Sequence, residues 1–200
     1  MKPVAKSKKE SDRGPEIRAF SSAREWRQWL SLHHERQEGV WLKLLKKGAG
    51  GKTISHDEAL DEALCYGWID GQGKSLDEVS WLLKFTPRRP KSVWSKRNRE
   101  NVERLIGLKK MRAAGFREIA AAKTDGRWDA AYDSPKSMKV PPDFLRELKK
   151  DKDAYAFYKA LNRANTYAIA WRLQMAKKPE TRAKRLNVLL EMMKKRRKLH

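Results

Sequence analysis

Cysteine is almost absent from the sequence, which has a single one, Cys65, in 200 residues. A disulfide within the chain is therefore excluded, and this suits a reducing compartment such as the cytoplasm. Histidine is scarce too: the four histidines, at positions 33, 34, 56 and 200, match no zinc-ligand spacing. The sequence therefore predicts no metal site.

Long apolar runs and familiar catalytic motifs are also missing. No segment approaches the roughly 18 apolar residues that a membrane helix requires, and residues 1–20 lack the apolar stretch of a secretory signal. The patterns GxxxxGK[ST], GxGxxG, GxSxG and HExxH do not occur. We expect a cytoplasmic protein with no transmembrane segment and no cofactor, and the sequence favours a binding role over an enzymatic one.

Positive charge, in contrast, is abundant. The chain has 47 Lys and Arg against 25 Asp and Glu, a formal net charge of +22. Such a charge attracts nucleic acid, another polyanion or an acidic protein partner over long range. The simpler alternative is that a basic surface only keeps the protein in solution. The sequence leaves the oligomeric state open.

Hydrophobic periodicity predicts an α+β fold. A helix after Ser22, a strand at 40–46, a helix begun by a Ser55–Glu58 capping box and a hairpin over 68–86 come first, and helices follow. We expect a small, mostly antiparallel sheet packed with helices, followed by a helical C-terminal subdomain. The expected ranges are a disordered basic arm at 1–19, an α+β domain at 20–134, a helical subdomain at 135–195 and a basic tail at 196–200.

Three sequence blocks carry a resemblance to a known family. They are EALDEALCYGWIDGQ at 58–72, FTPRRPKSVWSKRNRENVERL at 85–105 and AKKPETRAKRLNVLLEMM at 176–193. With these blocks in this order, the chain resembles the YdeI/OmpD-associated family over residues 20–195. The resemblance implies a bacterial-type protein with a role in tolerance to bacteriocins, antimicrobial peptides or envelope stress, and it implies no catalytic residues. Because like charges repel, a chain of net charge +22 should not bind cationic peptides itself, so we expect that role to be indirect.

The second and third blocks hold two dense groups of cations. Ten cations accompany two carboxylates between Thr86 and Arg112, and again between Lys177 and His200. A helix capped by Ser95 would direct free amide groups toward the arginines, an arrangement typical of anion sites, and Trp94 could stack on a base. The alternative is a capped helix with solvated cations and Trp94 in the core. The candidate polyanion-binding residues are Arg88, Arg89, Lys91, Trp94, Ser95, Lys96, Arg97, Arg99, Lys177, Lys178, Arg182 and Arg185.

The first block contains the residues of a small-ligand pocket instead. The pocket candidates at its helix-to-strand corner are Cys65, Trp68, Asp70 and Gln72, joined by Arg127 and by Arg88 and Trp94 of the other group. A pocket here would make the protein an enzyme or a small-ligand sensor. The alternative is that Cys65 is a small buried residue and Asp70 a hydrogen-bonding turn residue. A module that binds other proteins is the third interpretation.

Overall fold

The structure, a computed structural model, describes residues 16–133 and 137–200. Most of the predicted disordered arm, residues 1–15, lies outside the described residues. Its last part was predicted wrongly, because Ile17–Ala19 form a strand, β1. All three side chains of β1 are exposed, so no local hydrophobic pattern announces it. Pairing with a neighbouring strand decides this segment, and Trp41 N–H also donates to the Glu16 carbonyl at 2.8 Å.

The elements after β1 follow the predicted order of mixed strands and helices, then helices alone. They are α1 (Ala23–His33), β2 (Val40–Leu45), α2 (His56–Cys65), β3 (Trp68–Ser75), β4 (Ser80–Pro87), α3 (Lys96–Gly107), α4 (Ala113–Thr124), α5 (Pro142–Leu148), α6 (Lys152–Lys159), α7 (Arg163–Gln174) and α8 (Pro179–Lys194). Within the described ranges, none of these helices has the length and apolar character needed to cross a bilayer.

The four strands form one sheet in the order β1-β2-β4-β3. β1 runs parallel to β2, whereas β2 and β3 are both antiparallel to β4. The register pairs Val40 with Phe85 and Trp68 with Pro87, and it shifts at a bulge between Asp70 and Gly73. The predicted hairpin and the mostly antiparallel sheet are thus confirmed, with one parallel pair added at the β1 edge.

Aromatic rings fill the space between α1 and the sheet. Trp26 stacks on Trp29 at 5.2 Å between ring centroids, and Trp68 meets both rings edge-on. Phe20 and Phe85 complete the cluster around Trp26. The Trp26 Nε1–H donates to the Ala59 carbonyl at 3.0 Å, so the buried indole is satisfied and α1 is joined to α2. This cluster is the core of the first part of the chain.

The approach of α4 to α2 depends on Gly115. A Cβ at this position would lie 2.5 Å from the Cys65 carbonyl oxygen and 2.9 Å from that of Leu64. Main-chain atoms cannot move aside as a flexible side chain can, so only glycine permits this helix spacing. Arg112 N–H donates to the same Cys65 carbonyl at 3.0 Å and fixes the start of α4 there.

The chain divides into two compact units. The first consists of Met1–Ser92 with Asn98–Asp129, and the second of Val93–Arg97 with Ala130–His200. The second unit has its own apolar core, supplied by α5 to α8 and made of Phe144, Leu148, Ala154, Ile169, Leu173, Leu189 and Met193. The helical C-terminal region is therefore confirmed, while the predicted boundary at residue 134 stays a prediction.

Replacing Gly115 by alanine is expected to lower the free energy of unfolding by about 1–3 kcal/mol, because the added methyl group forces α4 away from α2. Gly107→Ala is the matched control, since a Cβ there meets nothing within 4 Å. That change should be neutral or stabilising by up to about 1 kcal/mol. Urea unfolding of both variants tests this, and equal midpoints would contradict the close-packing account.

Candidate functional site

An open cleft of about 700 Å³ lies in the first unit. Its wall is formed by the end of α1, the α2–β3 corner, the loop after β4, and α4 with the loop that follows it. The lining residues are His34, Glu35, Gln37, Tyr66, Gly67, Trp68, Pro87, Arg88, Pro90, Lys91, Ala114, Arg117, Glu118, Ala121, Asp125 and Arg127. A volume of this size falls in the range of small-molecule sites.

Gly67 shapes the corner between α2 and β3. It has φ +76°, which side chains other than glycine rarely adopt, and a Cβ there would lie 3.0 Å from the Ala114 carbonyl oxygen. Its own carbonyl accepts from Arg88 N–H at 2.9 Å. This bond extends the β3–β4 ladder by one residue and places Arg88 at the cleft.

Arg88 and Arg127 both contact Ser92 from different parts of the chain. Arg88 Nη1 donates to Ser92 Oγ at 3.4 Å, and Arg127 Nη1 donates to the Ser92 carbonyl at 2.9 Å. Arg127 Nε also donates to the Asp125 carboxylate at 2.7–2.8 Å. Arg88 is 6% exposed and the Arg127 side chain 13% exposed, so the two guanidinium groups are held in fixed positions in the wall of the cleft.

Two further cations of the cleft, Lys91 and Arg117, are exposed, unlike Arg88 and Arg127. Among the described residues, neither Lys91 nor Arg117 forms an ion pair. Lys91 has φ 64°, a left-handed conformation that is uncommon for lysine. The cleft lining thus has four Lys or Arg against the three carboxylates of Glu35, Glu118 and Asp125, and Asp125 is already engaged by Arg127.

Aromatic groups lie along and behind the inner side of the cleft, where Trp68 is fully buried and Tyr66 is 8% exposed. The Trp68 Nε1–H donates to the His34 carbonyl at 2.7 Å, which joins the end of α1 to the start of β3. The rings of His34 and Tyr66 lie 5.5 Å apart between centroids. The site therefore combines planar, mostly apolar groups with cations, an arrangement that can hold a small organic anion through its charge and its carbon skeleton.

Three of the predicted pocket residues line this cleft and the others lie elsewhere. Trp68, Arg88 and Arg127 are in its wall. Asp70 instead meets His56, with 3.1 Å between Oδ2 and Nε2, and Gln72 is exposed within the bulge. Trp94, 2% exposed, belongs to the other unit. Trp68, Asp70 and Gln72 are close along the chain, whereas strand β3 carries Asp70 and Gln72 away from the corner at Gly67.

Cys65 is placed as a small buried residue. It is 1% exposed, and burial, followed by the nearby Glu62 and Asp61 carboxylates, raises the pKa of its thiol to about 12. A neutral thiol is a weak nucleophile. The packing of Cys65 under α4 therefore matches the structural alternative stated for it from the sequence.

Many of the predicted polyanion-binding residues make contacts within their own unit. Arg99 donates to the Trp128 carbonyl and lies over its ring, Lys96 pairs with Asp133 at 2.7 Å, and Arg182 pairs with Asp143. Ser95 is buried, and the Lys96 N–H beside it donates to the Tyr132 carbonyl at 2.9 Å.

The remaining candidates are mostly exposed. Arg185 Nη1 donates to the Arg172 carbonyl at 2.7 Å, whereas Arg89, Arg97, Lys177 and Lys178 are exposed. The groups at 88–112 and 177–200 lie largely in different units, and their union in one surface stays a prediction.

Sequence reasoning missed the contribution of α4 to the cleft. Arg117 and Glu118 were not singled out, nor was Asp125, although all three line it. A usable signal was the run of small residues Ala113–Gly115, which marks a helix face able to approach another backbone closely. The Arg117 side chain, two residues after Gly115, then lies at the edge of the contact between α4 and α2.

Comparison with known families divides the chain in two. Residues 18–118 match a family model described as a domain of unknown function (DUF8412), and residues 137–196 match the model described as bacteriocin-protection, YdeI or OmpD-associated. The resemblance stated from the sequence is confirmed by the second match, which contains the third block. The first two blocks lie within the first match. No curated protein and no solved structure matches the chain.

The His56–Asp70 pair predicts a pH-dependent stability. The hydrogen bond with Asp70 raises the pKa of His56 above its ordinary value of 6.5, against a smaller opposing effect of burial. Because the folded state binds this proton more tightly than the unfolded state does, the pair stabilises the fold in full at pH values below the pKa of the unfolded state. That stabilisation is lost as the pH rises through the raised pKa of the folded state. Asp70→Asn should therefore lower the urea midpoint more at about pH 5.5 than at about pH 8.5.

His200→Gln is the control for this measurement, since His200 is exposed and forms no ion pair among the described residues. This change should leave the difference between the urea midpoints at the two pH values the same as in the unaltered chain. Because both members of the pair are about a third exposed, added salt should reduce the effect. A loss in Asp70→Asn that is equal at both pH values would contradict the charged pair.

Proposed function

We propose that this protein binds a small organic anion. The premise is that the chain belongs to the family of the DUF8412 domain and continues into a bacteriocin-protection, YdeI or OmpD-associated domain. The ligand would occupy the cleft of the first unit. The observation that carries this proposal is the convergence of Arg88, Lys91, Arg117 and Arg127 on a cleft that is also lined by the rings of His34 and Tyr66. A carboxylate or phosphate matches the charge, and a planar or apolar skeleton matches the rings.

The fixed and the exposed cations would have different roles. Arg88 and Arg127 are held by Ser92 and Asp125, so they contribute a positive wall at little cost in side-chain entropy. Lys91 and Arg117 are exposed at the cleft and can close on a bound anion. The strongly positive field of the whole chain would concentrate anions near this opening.

Arg117→Gln is expected to weaken the binding of a small polyvalent anion at least about tenfold, since a hydrogen bond to a charged group contributes about 1.5–3 kcal/mol. Citrate and pyrophosphate are suitable probes, and titration calorimetry measures their dissociation constants. The indole resonance of Trp68 provides a second readout by NMR, because its N–H donates to His34 inside the cleft wall.

Arg24→Gln is the matched control, as Arg24 is an exposed arginine of α1 that does not line the cleft. It changes the net charge by the same amount and should leave affinity nearly unchanged. If Arg117→Gln and Arg24→Gln weaken the binding of both probes equally, the anions are attracted only by the general positive field of the chain. If neither probe moves the Trp68 resonance, the cleft is not the binding site.

A second candidate function is the binding of nucleic acid or another polyanion by the second unit. Lys177 and Lys178 favour it, because within the described part of the chain neither forms an ion pair and both are exposed before α8. The cations at 194–198 are exposed as well. Charge-driven binding of this kind needs no shaped pocket.

The double variant Lys177→Gln/Lys178→Gln should reduce the salt dependence of DNA binding. Each neutralised phosphate contributes about −0.9 to the slope of log K against log salt, so the slope should become shallower by about 2. Fluorescence anisotropy of a labelled DNA duplex over a salt series measures it. Lys152→Gln/Lys159→Gln, which removes two exposed cations of α6, is the control. Equal slopes for the two double variants would reject a site at 177–178.

Any protection from bacteriocins or cationic peptides would be indirect under either proposal. A chain of net charge +22 repels cationic peptides and should not sequester them. We propose instead a cytoplasmic role in which the bound anion, or an acidic partner, links the protein to envelope-stress tolerance.

A further inference from the structure

The second unit has a separate groove between α7 and α8. Its volume is about 450 Å³, and its lining residues are Trp171, Arg172, Thr181, Lys184, Arg185, Val188 and Leu189. They all lie within the second unit, and none of them lines the cleft. The groove therefore requires its own explanation.

The groove has an apolar surface with an entirely basic border. Trp171, Val188 and Leu189 supply the apolar part, and Val188 is 51% exposed although it is a large hydrophobic residue. The charged lining residues are Arg172, Lys184 and Arg185, with no carboxylate among the seven. Within the described ranges these three cations form no ion pair.

The border is also held in place. Arg185 Nη1 donates to the Arg172 carbonyl at 2.7 Å, and this bond joins the two helices that line the groove. Trp171 is oriented by Tyr132, whose ring meets it edge-on at 6.4 Å. The groove is thus a formed surface feature that exists before any ligand binds, and this reduces the entropic cost of occupying it.

We propose that this groove binds the chain of a free fatty acid, with the carboxylate at Lys184 and Arg172. An apolar floor recognises the alkyl chain, and uncompensated cations at its border recognise a single anionic head. The α8 part of the lining, Thr181 to Leu189, spans about 12 Å at 1.5 Å per residue, and this length is shared by the head group and the chain of a medium-length fatty acid.

The size of the groove favours a small amphiphile over a protein. A stable protein interface involves about 20–30 residues on each side, whereas seven residues line this groove. A volume of about 450 Å³ is within the small-molecule range. A second copy of the chain is disfavoured, because the same basic border would oppose itself.

Decanoate, kept below its micelle concentration, is the probe. Calorimetry should show saturable binding of one decanoate per chain, and octanoate should bind about tenfold more weakly because two buried CH₂ groups are lost. Decanol, which has the chain without the charge, should also bind about tenfold more weakly. NMR shifts should fall on α7 and α8.

Val188→Glu is expected to abolish decanoate binding by placing a like charge in the apolar floor, and Lys184→Gln should weaken it about tenfold. Val79→Glu is the matched control, since Val79 is an equally exposed valine of the first unit, 48% against 51%. It should leave decanoate binding unchanged. Arg117→Gln should also leave it unchanged, so this proposal and that of the cleft can fail separately.

Three outcomes would overturn the proposal. In the first, decanol binds as tightly as decanoate and Lys184→Gln has no effect, which leaves an apolar surface without head-group recognition. In the second, decanoate shifts resonances outside α7 and α8. In the third, decanoate does not bind while an acidic amphipathic peptide does, which assigns the groove to a protein partner.

Discussion

The aromatic cluster beneath α1 is the interaction on which the first unit depends. Trp26, Trp29 and Trp68 pack against one another, and the indole N–H groups of Trp26 and Trp68 donate to the Ala59 and His34 carbonyls. Each ring therefore buries a large apolar area, and Trp26 and Trp68 also fix the main chain of a neighbouring element. Because Trp68 begins β3, its position determines where Gly67 turns and where the β3–β4 ladder ends. The cleft is a consequence of that placement.

The cations that make up the large positive charge differ in the contacts they make. Some cations, such as Arg27 with Glu62 and Arg104 with Asp61, serve the fold through ion pairs. Arg88 and Arg127 are held within the cleft wall by hydrogen bonds. Others, such as Arg117 and Lys184, are exposed beside concave surfaces. The charge that is relevant to ligand recognition is the part that no neighbouring carboxylate already neutralises.

The two family matches and the two compact units describe a chain in which each part has its own core and its own concave surface. The cleft is lined from His34 to Arg127 and the groove from Trp171 to Leu189. The match that names bacteriocin protection covers the groove and not the cleft, since it begins at residue 137. That match therefore concerns α5 to α8 alone. The proposal for the cleft rests on the geometry of the cleft alone.

Local signals determined much of the fold. The Ser55–Glu58 capping box, the hairpin over 68–86 and the helical C-terminal region follow from periodicity, caps and turns, which depend on neighbours in sequence. β1 escaped the same reasoning, because three exposed residues become a strand only when β2 is beside them.

The tertiary structure alone decided which side chains meet. Asp70 was grouped with Trp68 by proximity along the chain, yet it faces His56, while Arg117 enters the cleft from a helix 50 residues away in sequence. The groove of the second unit likewise arises from two helices whose separate patterns announce no cavity. Binding surfaces are made by residues distant in sequence, and their meeting depends on packing that no local pattern encodes.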